Sequence, residues 1–119
     1  MHELSVAGAI VDTAVRHADG RRVSLVSVRV GALRQVVPES LRFYFEIVAR
    51  EGPCEGAQLE LAAVPLRLRC RGCHAEWEPE FPVFRCAGCG GATVEVMTGE
   101  ELEIDYIEVE EEVACIAPG

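Results

Sequence analysis

Apolar residues near the start of the chain recur at steps of three and four. Leu4, Ala7, Val11, Ala14 and Ala18 fall on one side of a helical wheel. The spacing predicts an amphipathic helix over 3–18, ended by Asp19-Gly20, because glycine takes the left-handed terminal conformation easily. The period then changes to two. From Arg22 to Val30, Val26, Val28 and Val30 alternate with Ser27 and Arg29, which predicts a half-buried strand closed by Gly31. Pro38 opens a second helix, since its missing N–H is not needed at the first helical position. Leu41, Tyr44, Phe45 and Val48 form its stripe, and Gly52-Pro53 stops it after about Arg50. Leu59–Leu68 reads as a second strand and Leu102–Val109 as a third, with a bulge expected around Tyr106-Ile107.

Between those last two strands the composition changes to cysteine, glycine and proline. Cys70-Arg71-Gly72-Cys73 and Cys86-Ala87-Gly88-Cys89 are two C-x-G-C knuckles with twelve residues between them. A glycine before each second cysteine favours a tight turn that aims backbone N–H groups at sulfur. Four thiolates on two short loops can surround one tetrahedral ion. Zinc suits that set, being soft enough for sulfur and free of geometric preference. With every position taken by protein sulfur none is open for catalysis, so the site reads as structural. Such a centre would carry a net negative charge, and Arg67, Arg69, Arg71 and Arg85 lie beside the knuckles to offset it. Cys70–His74 also spells the C-x-x-C-H of haem attachment, which leaves the second pair unexplained. Disulfides call for an oxidising compartment, and no basic start followed by an apolar stretch marks the chain for export. His74 reads as an exposed loop histidine, His17 as a last-turn helix residue and Trp77 as a packing anchor of the module. Cys54 and Cys115 receive no role.

These elements add up to an α/β (α+β) fold. A small three-stranded mixed sheet carries two helices, with a right-handed parallel crossover from the first strand to the second. A zinc-ribbon module is inserted before the third strand. The domains are 1–67 with 95–119, and 68–94 for the ribbon, which is too small to bury a core of its own and needs a metal staple.

Charge narrows the function. The formal net charge is −9, and residues 95–119 hold nine acids and no base. Binding to phosphate backbones needs clustered cations, so nucleic acid is not an expected partner. The acidic end reads as a solvated strand face plus a tail. No apolar run approaches the roughly 20 residues that span a bilayer, so no membrane segment is expected and the location reads as cytoplasmic.

The amino terminus offers different chemistry. The chain begins Met1-His2-Glu3. The free amine of Met1 and the imidazole of His2 can chelate one metal. The amide nitrogen between them joins when Ni(II) or Cu(II) displaces its proton, and three nitrogens in one plane suit the square-planar preference of those ions. Trimming of the initiator needs a small second residue, so Met1 is expected to stay.

The MHELS start, VRVGAL after the first strand, PESLRFYFE at the second helix, the paired knuckles and the closing GEELEIDYIEVE together resemble the hydrogenase nickel-incorporation proteins, the HypA/HybF family. The likeness runs over nearly the whole chain. It implies a metallochaperone, not an enzyme, that delivers Ni2+ to the large subunit of [NiFe]-hydrogenase during maturation. It also implies a nickel-binding α/β domain, a zinc-ribbon domain holding structural Zn2+, and a partner GTPase. Some members also serve urease, which adds urease accessory proteins as partners. Position by position, Met1 supplies the amine, His2 matches the nickel-ligating histidine and Glu3 its neighbouring acid. Cys70, Cys73, Cys86 and Cys89 match the zinc ligands. Some members carry a histidine after each cysteine pair and respond to pH there. Here His74 follows the first pair but Gly90 the second, so a two-histidine response lacks one member. Two alternatives fit the cysteines from other classes: a zinc-ribbon protein–protein adaptor, and a rubredoxin-like iron electron carrier.

Overall fold

Helix α1 (Glu3–Ala18) buries Val6, Ala7, Ile10, Val11, Ala14 and Ala18. Leu4, expected on that stripe, lies at its margin and is exposed. Asp19 at φ 52° and Gly20 at φ 82° take the left-handed conformation that ends the helix. Helix α2 (Pro38–Val48) packs on α1 and buries Leu41 and Phe45, with Tyr44 and Val48 half-buried beside them. Ala7, Ala14 and Ala18 are fully enclosed, and side chains this small let packed elements approach closely. The computed structural model describes residues 3–110, so Met1, His2 and Cys115 lie outside the described residues.

Strand β1 (Val23–Gly31) is the middle strand of a sheet, flanked by β2 (Gln58–Val64) and β6 (Leu102–Val109). It is buried on both faces. Val26 and Val28 are enclosed as their alternation predicts, but Val23, Leu25 and Ser27 on the opposite face are enclosed too. The Val23 N–H donates to Pro53 O, and Arg22 Nη2 donates to Glu55 O. Three residues from Glu55 to Gln58 reach roughly 10 Å at most, so β2 must begin beside the start of β1 and run parallel to it. β6 runs the other way: the Glu110 N–H donates to Arg22 O, Ser24 Oγ to Glu108 O, and Arg29 pairs with Glu103. All three contacts belong to one register, so the bulge expected at Tyr106-Ile107 is absent. The change of parity that suggested it has another cause. β6 half-buries Leu102 and Ile104 on one face and Ile107 and Val109 on the other.

The strand expected over 59–68 is two strands. Pro65 lacks a donor N–H and interrupts the ladder. Beyond this proline, β3 (Arg67–Cys70) lies in a second sheet between β4 (Glu76–Trp77) and β5 (Val94–Thr98), antiparallel to both. Leu68 faces Trp77 on one side and Val96 on the other, so Trp77 is half-buried as a cross-strand partner. The chain divides into two compact units. Among the described residues, one takes 3–29, 36–62 and 103–110, and the other takes 30–35 and 63–102. The cysteine-bearing unit is thus wider than the knuckle segment 68–94, because β3 and β5 pair beyond it and 30–35 packs with them.

Glycine is required at one backbone contact in that second unit. A Cβ on Gly31 would lie 2.2 Å from the carbonyl carbon and oxygen of Gly99. The Gly31 N–H donates to Glu101 O at 2.7 Å and the Leu33 N–H to Gly99 O at 2.8 Å, which holds the two stretches together. Gly31→Ala is expected to destabilise the protein by about 2–4 kcal/mol through forced backbone displacement. A urea-unfolding midpoint equal to that of the wild type would contradict the contact.

Candidate metal centre

Among the described residues, one set of potential ligands converges: the Sγ atoms of Cys70, Cys73, Cys86 and Cys89 all lie within 4.8 Å of one another. Cys70 and Cys89 are 3.7 Å apart, and Cys73 and Cys86 3.5 Å. Disulfide sulfurs sit at about 2.05 Å, so none of these pairs is bonded. A tetrahedral zinc with Zn–S near 2.3 Å sets its sulfurs about 3.8 Å apart, so the four fit such an ion.

The two knuckles are wired alike. The Cys70 N–H donates to Ala75 O and the Cys86 N–H to Gly91 O; the His74 N–H donates to Cys70 O and the Gly90 N–H to Cys86 O. The Cys73 N–H points at Cys70 Sγ (3.5 Å) as the Cys89 N–H points at Cys86 Sγ (3.4 Å). His74 and Gly90 occupy the same position in this pattern, and both are left-handed, at φ 64° and 74°. Glycine freedom is therefore used one place after each second cysteine. It is not needed before it: a Cβ on Gly72 or Gly88 would meet a sulfur at an ordinary 3.6 or 3.7 Å. His74 is exposed and holds a conformation that disfavours non-glycine residues by about 1 kcal/mol or more.

Backbone amides also set the thiols apart. The Cys89 amide, then the Gly88 amide at 3.3 Å, hold Cys86 down to about 6 against the opposing effect of burial. Cys70 is lowered in the same way, first by the Cys73 amide. Cys73 is pulled down by the Ala75 amide, but its bond to the Cys86 sulfur, burial and the other two sulfurs outweigh this and push it to about 11. Cys89 is likewise raised, its Gly91 amide outweighed chiefly by the Cys70 and Cys86 sulfurs. Each knuckle thus pairs one lowered thiol with one raised thiol, and because a metal binds thiolate, acid competes with the ion for the site.

The arginines expected to offset the sulfur charge are engaged elsewhere. Arg67 pairs with Glu76 and Glu78, both at 3.3 Å, and Glu95 takes Arg69 at 3.8 Å and Arg71 at 3.5 Å. Arg85 Nη1 donates to Gly90 O. The strand pairing favours this: Glu95 stands directly opposite Arg69 and also reaches Arg71, while Glu76, opposite Arg69 on the other side, reaches Arg67 diagonally. Cys54 is fully enclosed and its thiol is raised by burial, as a small core residue.

Of the residues read as a nickel site, the structure places Glu3. It opens α1, and its Oε2 accepts the Val37 N–H at 3.1 Å, next to the start of α2. Sequence reasoning missed this bond, because nothing local links positions 34 residues apart.

The sequence profile of a family described as hydrogenase/urease nickel incorporation, metallochaperone, hypA matches residues 1–109. The chain belongs to this family. Among its relatives, the hydrogenase maturation factor HypA of Geotalea uraniireducens is 39% identical over 110 residues, 92% of this chain and 100% of that one. HypA of Nostoc sp. is 40% identical over 111 residues, covering 93% and 97%. The fold agrees with a solved one: the solution structure of the Ni metallochaperone HypA from Helicobacter pylori superposes with a TM-score of 0.68 at 23% identity, covering 92% of this chain and 97% of that one. Nickel incorporation in hydrogenase maturation is thus the function of the family to which this chain belongs, and neither an adaptor nor an electron carrier is favoured.

Proposed function

We propose that the chain carries Ni(II) on Met1, His2 and Glu3 and hands it to the large subunit of [NiFe]-hydrogenase, while Cys70, Cys73, Cys86 and Cys89 hold a structural zinc. The observation that carries this reading is the family match, which begins at Met1 and takes in both the amino-terminal triplet and the knuckles. The chemistry supports the division of labour. A closed four-sulfur cage releases its ion reluctantly and suits a resident metal. A few nitrogens at a chain terminus release theirs readily and suit cargo. The nickel role falls to the unit that carries α1 and α2, and the zinc role to the cysteine-bearing unit. The partners are a maturation GTPase, the large subunit and, where urease is served, its accessory proteins. The chain acts as a carrier in the cytoplasm and catalyses no reaction. No helix among the described residues is long and apolar enough to cross a membrane.

The test is transfer. Untagged chain loaded with radioactive nickel is mixed with metal-free large-subunit precursor, and the two are separated by size. Nickel is expected to move to the precursor, faster with the GTPase and GTP present. Nickel that stays with the chain under all conditions would sink this reading.

A further inference from the structure

We propose that Glu3 is the positioning residue of the nickel triplet: its carboxylate, fixed by the Val37 amide at the entry to α2, holds the start of the chain where the Met1 and His2 nitrogens take the ion. The inference rests on the proposed amino-terminal site and assigns the part that Glu3 plays in it. Met1 and His2 supply three nitrogens in one plane. What those donors need besides is a fixed place.

The entry to α2 lacks a cap of its own. A helix start often satisfies the N–H of its capping residue with a Glu or Gln at the third helical position. In α2 the capping residue is Val37, which makes no side-chain capping bond, and the third helical position is Ser40. Pro38 at the first position brings no N–H and confines Val37 to extended backbone, at φ −89° and ψ 112°. The Val37 N–H is left for an acceptor from elsewhere, and Glu3 Oε2 takes it at 3.1 Å. Glu3 of α1 thus fills a role that usually falls to the helix being capped. Both residues belong to the unit that carries α1 and α2.

The bond bears on the ion because Glu3 is the first residue of α1 and is joined directly to His2. A hydrogen bond from an amide to a carboxylate is charge-assisted and stronger than a neutral one. Fixing Glu3 at that point restricts the residue bonded to it, and donors placed before the ion arrives lose less freedom on binding it. Groups that orient metal ligands in this way change affinity about ten- to hundred-fold. Leu4 and Val37 are 53% and 52% exposed, so water reaches the contact and the lower end of that range applies.

The test is calorimetric titration of the untagged full chain with Ni(II). Glu3→Ala is expected to weaken binding about ten-fold. Glu3→Gln keeps an acceptor oxygen without the carboxylate and should bind like the wild type. Val37→Pro deletes the N–H and leaves the triplet intact. It should match Glu3→Ala, and combining the two should add no further loss. Val37→Ala, which keeps the amide, should change nothing. The visible absorption band of the bound nickel should hold its position in every variant, since the nitrogen donors are the same. Glu3→Gln as weak as Glu3→Ala, with a displaced band, would make the carboxylate a ligand and overturn the inference. Unchanged nickel affinity in Glu3→Ala, with only a lower urea midpoint, would leave Glu3 a plain helix cap and overturn it too. Should Val37→Pro lose its helical dichroism, the two variants at position 3 still decide. Nickel binding that survives His2→Ala removes the amino-terminal site and this inference with it, whereas loss in His2→Ala beside full affinity in Glu3→Ala strikes the inference alone.

Discussion

Cys86→Ser is expected to empty the four-sulfur site and unfold the unit of residues 63–102, while most of the helical signal survives. Cys86 is the thiol held lowest, at about 6, by two amides. A serine there removes one of four ligands and leaves those amides without a sulfur. Structural zinc contributes on the order of 10 kcal/mol to folding, and a unit with so few enclosed residues has little to replace it with. Both α-helices belong to the other unit, whose core of α1, β1 and α2 contains none of the four cysteines. Elemental analysis should find about one zinc per wild-type chain and none in the variant. Amide chemical shifts of 63–102 should collapse toward random-coil values while far-ultraviolet dichroism keeps most of its helix intensity. Full zinc retention would remove the reading. A red protein with visible charge-transfer bands would replace zinc with iron.

His2→Ala is expected to abolish high-affinity Ni(II) binding without touching zinc content or folding. The proposed chelate joins the Met1 amine, the amide nitrogen that follows and the His2 imidazole, three donors in one plane. Removing the imidazole leaves a bidentate remnant. Adding one residue before Met1 should do nearly the same, because it displaces the amine although His2 is still present. The pH dependence has a definite sign. All these donors bind metal only when deprotonated, so affinity falls as pH drops and protons are taken up, most steeply below neutrality where imidazole itself titrates, near 6.5. His17→Ala and His74→Ala are the controls, since both histidines are exposed and neither adjoins the triplet in sequence. Isothermal titration of untagged protein decides the matter. If His74→Ala proved as damaging as His2→Ala, the cargo would sit by the knuckles and the amino-terminal chelate would be wrong.

Much of the architecture could be read from local signals. α1, β1, α2 and β6 fall within about two residues of their expected bounds, because three-four and two-step periodicities with Gly and Pro punctuation are properties of neighbouring residues. The ribbon's sheet was not legible. β3 and β4 are four and two residues long, too short for a period, and their partners are chosen by pairing at a distance, as Leu68 with Trp77. The two-sided burial of β1 was hidden for the same reason, since Ser27 reads as solvent-facing until a neighbour covers it. The sulfur cluster was legible because its spacing fixes its geometry. The left-handed turn at His74 left one signal that could have been used, the glycine at the matching place in the second knuckle.

The arginines around the knuckles are committed to glutamates and a carbonyl, so backbone amides, which no side-chain exchange deletes except one to proline, meet the charge of the sulfurs. Over evolutionary time the face of β3, β4 and β5 that carries these charge pairs can therefore exchange them while the amides directed at the sulfurs stay in place.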